Sequence, residues 1–255
     1  RPQKGKADTK KDTGHAERRE KTQMKVTYLY HSGFTVEDER AMYVFDYYKG
    51  KLPETEADKQ MYVFVSHRHS DHFNPEIFEW EKEHPKIQYI LSDDVEADPA
   101  PNRIFLPPDK KIKIGTLKIE TLRSTDEGVA FLVAFRDKRI YHAGDLNWWH
   151  WEGESIDYNR SMRKNYQKEI KKLARKKIDL AFVVLDPRQG GAAFSGIDYF
   201  MRNVRAEHVF PMHMWKDYGL TDRLLTSEIS SGYRNRIHRV WEEGQTVEIK
   251  ERKGE

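Results

Sequence analysis

Residues 67–72 place four side chains of the kinds that bind metal ions within six positions, in the order His-Arg-His-Ser-Asp-His. An apolar run precedes this segment, and the helix-start signal Asn-Pro follows it. On an extended chain His67 and His69 project to the same side, where two imidazoles can share one cation. Asp71 and His72 fall on the turn into the helix and can face a second cation. These ligand types suit zinc, manganese or iron, so the segment predicts a metal site rather than a polar surface loop.

Two later segments bring further ligand-type residues to the ends of predicted strands. Asp145 follows Gly144 after the strand at 139–142. A carboxylate there can bridge two cations, because the glycine permits close backbone approach. His213 follows a short strand at 207–210 and reaches the same edge. Taken alone, Asp145 would be a turn residue and His213 a partly buried histidine, but their placement at strand ends favours a shared site.

Short apolar runs separated by turn signals make up most of the chain and predict the elements that position these residues. The predicted strands cover 25–30, 42–46, 61–65, 87–91, 117–122, 129–135, 139–142, 180–185, 207–210 and 246–249. The predicted helices cover 75–82, 161–177, 197–205 and 222–239. Strands come first and then mix with helices, which predicts sheets covered by helices.

Composition limits the class of protein. The chain has 255 residues, 12% of them aromatic, which is enough for one globular unit and excludes a disordered protein. Cysteine is absent, so a disulfide scaffold, a thiol nucleophile and thiolate metal ligands are excluded. The sequence contains neither an apolar run of about 18 residues nor a secretory signal, so we expect no membrane span and a cytoplasmic protein.

The net charge of +3 belongs to the first 23 residues, which carry eight basic and four acidic side chains. Residues 1–23 contain no large apolar side chain, so we expect them to be a flexible charged tail preceding a single domain at 24–255. The remaining sequence is close to neutral, which does not indicate a nucleic-acid surface. The basic residues of the helix at 161–177 are typical of a solvated face, and we favour that interpretation over a nucleic-acid groove.

The three motifs together resemble those of the metallo-β-lactamase superfamily. Within it they are most similar to the L-ascorbate-6-phosphate lactonase group. The resemblance runs from about residue 25 to about residue 215. It implies an α/β fold, a four-layer αβ/βα sandwich of two mixed sheets with outer helices and a binuclear centre at one edge. Two divalent metal ions, zinc or manganese, are implied as cofactors. The resemblance assigns the first metal to His67 and His69, the second to Asp71, His72 and His213, and a bridging position to Asp145.

One position departs from the family pattern. The family places a histidine in the loop before the Gly-Asp strand, where this chain has Thr125. The first metal then lacks one ligand. Either Asp126 or a water replaces it, or the first site is weak and only the second binds tightly.

These observations predict a metal-dependent hydrolase. A metal-bound hydroxide would cleave an ester, lactone or phosphoester bond in a small anionic substrate, with Asp71 orienting the water or accepting its proton. Two alternatives stay open, a nuclease or cyclic-nucleotide phosphodiesterase on the same site and a non-catalytic binding module with an impaired first site. The sequence contains no pattern that indicates an oligomeric state.

Substrate-binding residues are less clearly marked. The run Asn-Trp-Trp-His-Trp follows Asp145, and Trp148 and His150 within it are candidates for an aromatic wall and a proton donor, with loop packing as the equal alternative. Arg188 could clamp an anionic group, although a structural role is favoured. His31 and His142, each at a strand end, are interpreted as supporting or packing residues.

Overall fold

The computed structural model describes residues 23–249, which form two mixed β-sheets packed face to face. The predicted tail at 1–23 lies outside the described residues, apart from Gln23. In chain order the strands are β1 (Met24–Tyr30), β2 (Gly33–Glu37), β3 (Ala41–Phe45), β4 (Gln60–Val65), β5 (Ile87–Ser92), β6 (Arg103–Leu106), β7 (Lys111–Ile114), β8 (Leu117–Arg123), β9 (Val129–Phe135), β10 (Lys138–His142), β11 (Lys177–Val184), β12 (Arg205–Met212) and β13 (Thr246–Ile249).

Helices connect and cover these strands. The α-helices are α1 (Ile156–Lys171), α2 (Ser195–Asn203) and α3 (Gly219–Thr226). Shorter 3₁₀ helices cover Pro75–Lys82, Pro187–Ala192, Glu228–Ser230 and Arg234–Arg236. None of the helices in residues 23–249 is long and apolar enough to cross a membrane.

Strand alternation builds the core between the sheets. The first sheet has the order β13-β1-β2-β3-β4-β5-β6 and the second has the order β12-β11-β10-β9-β8-β7. Phe45 and Phe64 point inward from the first sheet and meet Phe182 and Phe131 of the second at ring-centroid distances of 5.9 and 5.3 Å. Intervening residues such as Val63 point to the opposite face, as the two-residue period of a strand requires.

Helices cover both outer faces. Ile77 of the 3₁₀ helix Pro75–Lys82 packs on the outer face of the first sheet, in the same cluster as Val63. Ile170 of α1 and Phe200 of α2 are buried against the second sheet, where Phe200 stacks on Tyr141 at 5.4 Å. The four-layer α/β sandwich of two mixed sheets with outer helices is therefore confirmed.

Parallel strands direct their carboxyl ends to one edge of the sandwich. β3 and β4 run parallel in the first sheet, as do β10, β11 and β12 in the second. Loops at the carboxyl ends of parallel strands are where such sheets place their ligands. The chain supplies a histidine or aspartate within three residues after each of these five strands.

Some element predictions were wrong. β2, β6 and β7 are short strands that the sequence pattern did not reveal. The helix expected at 161–177 is α1, which begins earlier because Ser155 caps it by accepting a hydrogen bond from the backbone N–H of Tyr158. The helix expected at 222–239 ends at Thr226, because Ser227 is extended and caps a separate 3₁₀ turn.

Candidate metal centre

Seven ligand-type side chains converge at this edge in two adjacent groups. The inner group consists of His31, Asp71, His72 and His213, and the outer group consists of His67, His69 and Asp145. Within each group the candidate ligand atoms all lie within 4.8 Å of one another. The structure thus brings together all six residues that the sequence marked as ligands, and it adds His31.

Asp145 lies between the two groups. Its Oδ2 is 3.2 Å from His67 Nε2 of the outer group. Its Oδ1 is 3.1 Å from His72 Nε2 and 3.0 Å from His213 Nε2 of the inner group. Each carboxylate oxygen therefore faces a different group, which is the arrangement that a bridging ligand needs.

Buried carboxylates orient two of the inner imidazoles. The Nδ1 atom of His72 is 2.7 Å from Asp46 Oδ2, and that of His213 is 2.7 Å from Asp186 Oδ2. Both aspartates have zero exposed surface. Hydrogen bonding at Nδ1 leaves Nε2 of each ring as the atom that faces the centre, as in many histidine metal sites.

Asp46 also ties the inner group to the strand that carries the histidine-rich segment. Its two carboxylate oxygens accept hydrogen bonds from the backbone N–H and the hydroxyl of Ser66, at 2.7 and 2.6 Å. Its φ of 44° is unusual for a residue other than glycine. His31 and His213 also have positive φ, at 57° and 71°. Strained backbone at three residues of one cluster is typical of a functional site.

Charge is balanced within the inner group. Burial opposes ionisation of Asp145, but the imidazoles of His72 and His213 outweigh it and hold the pKa of its carboxyl well below the usual range. Burial also opposes protonation of both imidazoles, but Asp145 together with Asp46 raises the pKa of His72 well above its usual value. Asp145 and Asp186 raise the pKa of His213 in the same way. A cation that binds here therefore competes with protons for these two rings.

His31 differs from these two rings. It lies on the turn between β1 and β2, fully buried, with Nε2 3.1 Å from Asp71 Oδ2 and its ring centroid 3.9 Å from that of His213. Burial lowers the pKa of His31 to about 4, in spite of the hydrogen bond with Asp71. The ring is therefore neutral near pH 7, which is the form that binds metals. The sequence interpretation of His31 as a supporting or packing residue missed its position among the candidate ligands.

The outer group is less well enclosed. The side chain of His69 is 41% exposed, and its Nε2 lies 3.3 Å from Glu127 Oε2, an exposed carboxylate. His67 is buried, with its Nδ1 2.9 Å from the hydroxyl of Ser66. Asp126 Oδ2 is 4.0 Å from His69 Nδ1, so a further carboxylate adjoins the group. Partial burial and the charge of Asp145 raise the pKa of Asp126.

Thr125, which occupies the position of the family's histidine, makes hydrogen bonds within the loop instead. Its hydroxyl donates to the carbonyl of Asn147 at 2.6 Å and accepts from the backbone N–H of Asn147 at 2.9 Å. These bonds fix the loop that follows Asp145. Thr125 also lines the pocket beside Asp145, so the position faces the outer group without supplying an imidazole.

Two glycines permit the close backbone approach that holds the groups together. A Cβ on Gly128, whose φ is 70°, would lie 2.0 Å from the Ser66 carbonyl oxygen and 2.6 Å from His67 Cβ. A Cβ on Gly144, whose φ is 53°, would lie 2.6 Å from Ser66 Cβ. Both positions therefore require glycine, because a larger residue would separate β4 from the second sheet.

The donor set fits divalent cations. Imidazole nitrogens and carboxylate oxygens make up both groups, a combination that zinc and manganese accept. Among the described residues, neither His67 Nε2 nor Asp145 Oδ1 makes a well-aligned hydrogen bond, although both atoms are buried. Buried polar atoms without such partners are uncommon, and a bound cation would satisfy both.

A pocket of about 170 Å³ opens beside Asp145. Its lining residues are Thr125, Asp126, Asp145, Trp149, Trp151, Tyr158, Met162 and Arg188. Arg188, a predicted substrate residue, lines it, although its Nε and Nη2 already donate to Asp186 at 3.0 and 2.7 Å. Trp148 and His150 are not among the lining residues. Trp148 instead contacts Tyr199, at 6.3 Å between ring centroids.

Sequence reasoning also missed Asp46 and Asp186 as supports for the imidazoles. Each follows a buried strand that is parallel to its neighbour, and that placement was the available signal. His142, in contrast, has the supporting role that was expected. Its Nε2 lies 2.9 Å from the Ser32 carbonyl and its Nδ1 accepts from the Gly144 N–H at 3.1 Å, so it packs behind the site.

Solved structures share the fold at low identity. Igni18, a metallo hydrolase from Ignicoccus hospitalis, aligns with a TM-score of 0.63 and 16% identity over 91% of this chain and 100% of that one. YhfI from Bacillus subtilis, a metallo-beta-lactamase fold protein, aligns at 0.60 and 15%, over 90% and 100%. CmlA from Streptomyces venezuelae, a diiron beta-hydroxylase, aligns at 0.59 and 10%, over 90% of this chain and 54% of that one.

A comparison of the sequence with curated proteins found no match. Residues 25–150, however, match the family described as a beta-lactamase superfamily domain, and this range contains the histidine-rich segment and Asp145. This match agrees with the two-sheet fold and with the position of the candidate ligands at its edge, so residues 25–150 support assignment to the metallo-β-lactamase superfamily.

Proposed function

We propose that the chain is a metal-dependent hydrolase that cleaves an ester, lactone or phosphoester bond in a small anionic substrate. The observation that carries the proposal is the position of Asp145, which directs one carboxylate oxygen to each of two ligand groups beside a pocket. Zinc and manganese are the proposed metals, since the donors are imidazoles and carboxylates. The resemblance to the lactonase branch stays a prediction.

Each of the two groups would bind one cation. The inner group would hold one cation through Asp71, His72 and His213, with His31 as an additional donor. The outer group would hold a second through His67 and His69, and Asp145 would contact both. When bound, such cations lower the pKa of water toward neutrality and stabilise developing negative charge on the substrate.

Asp71 is the proposed catalytic residue. Its side chain is 22% exposed, whereas that of Asp145 is 7% exposed. Burial opposes its ionisation, but the hydrogen bond with His31 and the charge of His72 hold its pKa below the usual range. The ionised carboxylate would orient the attacking water or accept its proton.

The pocket supports a small substrate rather than a nucleic acid. Two carboxylates and one guanidinium line it, so its walls form no basic track of the kind that a phosphate backbone requires. No observation on the described residues favours the nuclease alternative. CmlA shares the fold and is a hydroxylase, so the reaction class must be tested directly.

The test combines metal content with a substrate panel. Purified protein is saturated with zinc or manganese, freed of excess metal and measured by elemental analysis. It is then assayed against lactones, carboxylic esters, phosphomonoesters and phosphodiesters. We expect between one and two equivalents of metal, and hydrolysis that a chelator abolishes.

Variants separate the outcomes. Asp71→Asn should lower kcat by about 100-fold or more while keeping at least one metal equivalent. His84→Ala, which changes a histidine outside both groups, serves as the matched control. Metal uptake below half an equivalent would contradict the metal centre. Full uptake without hydrolysis of any panel member would favour the non-catalytic binding module.

A further inference from the structure

Two chemically different sets of side chains line the pocket beside Asp145. One set is polar and contains Thr125, Asp126 and Asp145, which belong to or adjoin the outer group. The other set is aromatic and apolar, and we call it the ring wall. The ring wall consists of Trp149, Trp151, Tyr158 and Met162. The lining therefore suits a ligand that has both a polar reactive group and an apolar surface.

Hydrogen bonds fix the tryptophans of the ring wall before any ligand binds. The indole N–H of Trp149 donates to the Asp145 carbonyl at 2.8 Å. Trp151 stacks on Trp149 with an interplanar angle of 8° and a centroid distance of 5.6 Å. Asn159 of α1 holds the backbone of Trp151 on both sides, accepting from its N–H at 3.0 Å and donating to its carbonyl at 2.8 Å. The wall is therefore preorganised, which lowers the entropic cost of binding.

The first turns of α1 complete the wall. Tyr158 and Met162 are four residues apart, so they lie on the same helix face. Ser155 caps α1 at the backbone N–H of Tyr158, which fixes where this residue sits. Tyr158 is 40% exposed, unusual for a large aromatic side chain in residues 23–249, where few others are exposed to this extent. An exposed aromatic at the rim of a pocket gives a ligand ring a surface on which to pack.

Arg188 supplies the single positive charge of the lining. Asp186 holds its guanidinium through Nε and Nη2, and the guanidinium carbon lies 5.8 Å from the Trp151 ring centroid. The side chain is still 53% exposed. Because Asp186 partly neutralises it, Arg188 suits one negative charge close to the ring wall and not a polyanion.

Size also favours a small ligand. The pocket volume of about 170 Å³ is below the roughly 300–1,000 Å³ that is typical of pockets for drug-sized ligands. A single ring with one small charged substituent is a ligand of suitable size.

On the basis of the proposed function, we infer that the substrate is a small ester whose ring is joined closely to one anionic group. The ring packs on Trp151, Tyr158 and Met162, and the anionic group lies between Arg188 and the outer group. Tyr158 and Met162 are thus the specificity-determining residues, and they act by packing on the part of the substrate that does not react.

The probes are two phosphonates, whose carbon–phosphorus bond resists hydrolysis. Phenylphosphonate carries the ring and the charge, and methylphosphonate carries the charge alone. Each is titrated calorimetrically into zinc-loaded protein. We expect phenylphosphonate to bind at least about tenfold more tightly than methylphosphonate, because only its ring contacts the ring wall.

Matched variants locate the preference. The double variant Tyr158→Ala, Met162→Ala should bring the two affinities to within about twofold by weakening phenylphosphonate alone. Arg188→Gln should weaken both probes about tenfold. Lys164→Ala, at an exposed position of the same helix, should change neither. Neither Tyr158 nor Met162 is fully buried, so thermal unfolding should show an intact fold in the double variant.

Each contrary outcome has one meaning. Equal affinities for the two probes in the unchanged protein overturn the inference, as does a preference that survives in the double variant. If the protein takes up zinc and hydrolyses panel substrates without any ring preference, only this inference fails. If it takes up no zinc, the proposed function fails, and the inference with it.

Discussion

The inner and outer groups use the same ligand types but differ in their support. In the inner group, His72 and His213 each have a fully buried aspartate at Nδ1, at 2.7 Å in both cases. In the outer group, His69 is 41% exposed and its nearest carboxylates are on the surface. Fixed imidazoles bind a metal at little entropic cost, whereas a mobile ring must first be ordered. We therefore expect the inner group to bind a cation before the outer group does, and to bind it more tightly.

The expected difference in affinity can be attributed to particular residues. Asp145 serves both groups equally, so it cannot create the difference. We expect the difference to come from the residues behind the ligands, Asp46 and Asp186, and from Thr125, which supplies no imidazole. Each of these features can be changed separately.

Removing one imidazole from each group should give the largest effect and the clearest contrast. We expect His213→Ala to weaken the tighter zinc site by at least about 100-fold, because a preorganised ligand is lost. His69→Ala should weaken only the weaker site, by about tenfold. Competition with a chelator of known affinity measures both constants.

Asp145→Asn provides the control for this pair, since it should weaken both sites together. Thermal unfolding in chelator checks that each variant still folds. If His69→Ala removed the tighter site, the assignment of the two groups would be reversed.

Changing the supporting carboxylates should have a smaller effect in the same direction. Asp46→Asn and Asp186→Asn keep the side-chain shape but weaken the hold on His72 and His213. We expect each to reduce the affinity of the tighter site by 10- to 100-fold. Glu127→Gln, the equivalent change beside His69, should reduce zinc affinity by less than about threefold, because that carboxylate is exposed. Comparable losses for all three variants would remove the distinction between the groups.

The sequence marked the candidate ligands far more clearly than the residues that support them. The residues at 67–72 share one short segment, so their spacing alone indicates chemistry. His31, Asp46 and Asp186 each stand alone in the sequence, and their roles depend on strands that become neighbours only in the fold. A single histidine or aspartate at a strand end is usually a turn or packing residue, so no local pattern could have distinguished them.

The apolar runs of the buried strands predicted sheets covered by helices, whereas the four-layer sandwich followed from the resemblance to the metallo-β-lactamase superfamily. The weaker elements were not predicted, for physical reasons. β7 has the sequence Lys-Ile-Lys-Ile and is only four residues long, too short for its alternation to stand out. The region after Thr226 carries apolar residues at helical spacing, but the cap at Ser227 ends α3 there. In the pocket beside Asp145, Trp149 and Trp151 are lining residues while Trp148 is not, because successive residues of an irregular loop point in different directions.

The charge balance of the inner group leads to a prediction about pH. Asp145 and its buried neighbours raise the pKa of His72 and His213. These two rings stabilise the metal-free fold fully below their unfolded pKa of about 6.5, and this stability is lost as pH rises through their folded pKa. Zinc takes the place of those protons, so the loaded protein does not lose this stability.

The difference in melting temperature between zinc-loaded and chelator-treated protein should therefore widen as pH rises from about 6.5 to 9. For a chain of this size, each displaced proton should widen the difference in melting temperature by about 2–4 °C per pH unit. Thermal unfolding at several pH values measures it, with His213→Ala as the control that should flatten the trend. A difference that narrows with rising pH would contradict this account of the inner group.

The smallest expected effect concerns the outer group and the missing imidazole. Thr125 lines the pocket beside Asp145, so Thr125→His places a third imidazole next to His67 and His69. The same change removes the two hydrogen bonds to Asn147, each worth about 1 kcal/mol. The loop is then less ordered, which offsets part of the gain in zinc affinity. We therefore expect only about a tenfold tightening of the weaker zinc site, measured by calorimetry, with Thr125→Ala as the control for the loop. If affinity does not change relative to Thr125→Ala, then Asp126 or water already completes this site, and the contrast between the groups rests on the aspartates behind His72 and His213 alone.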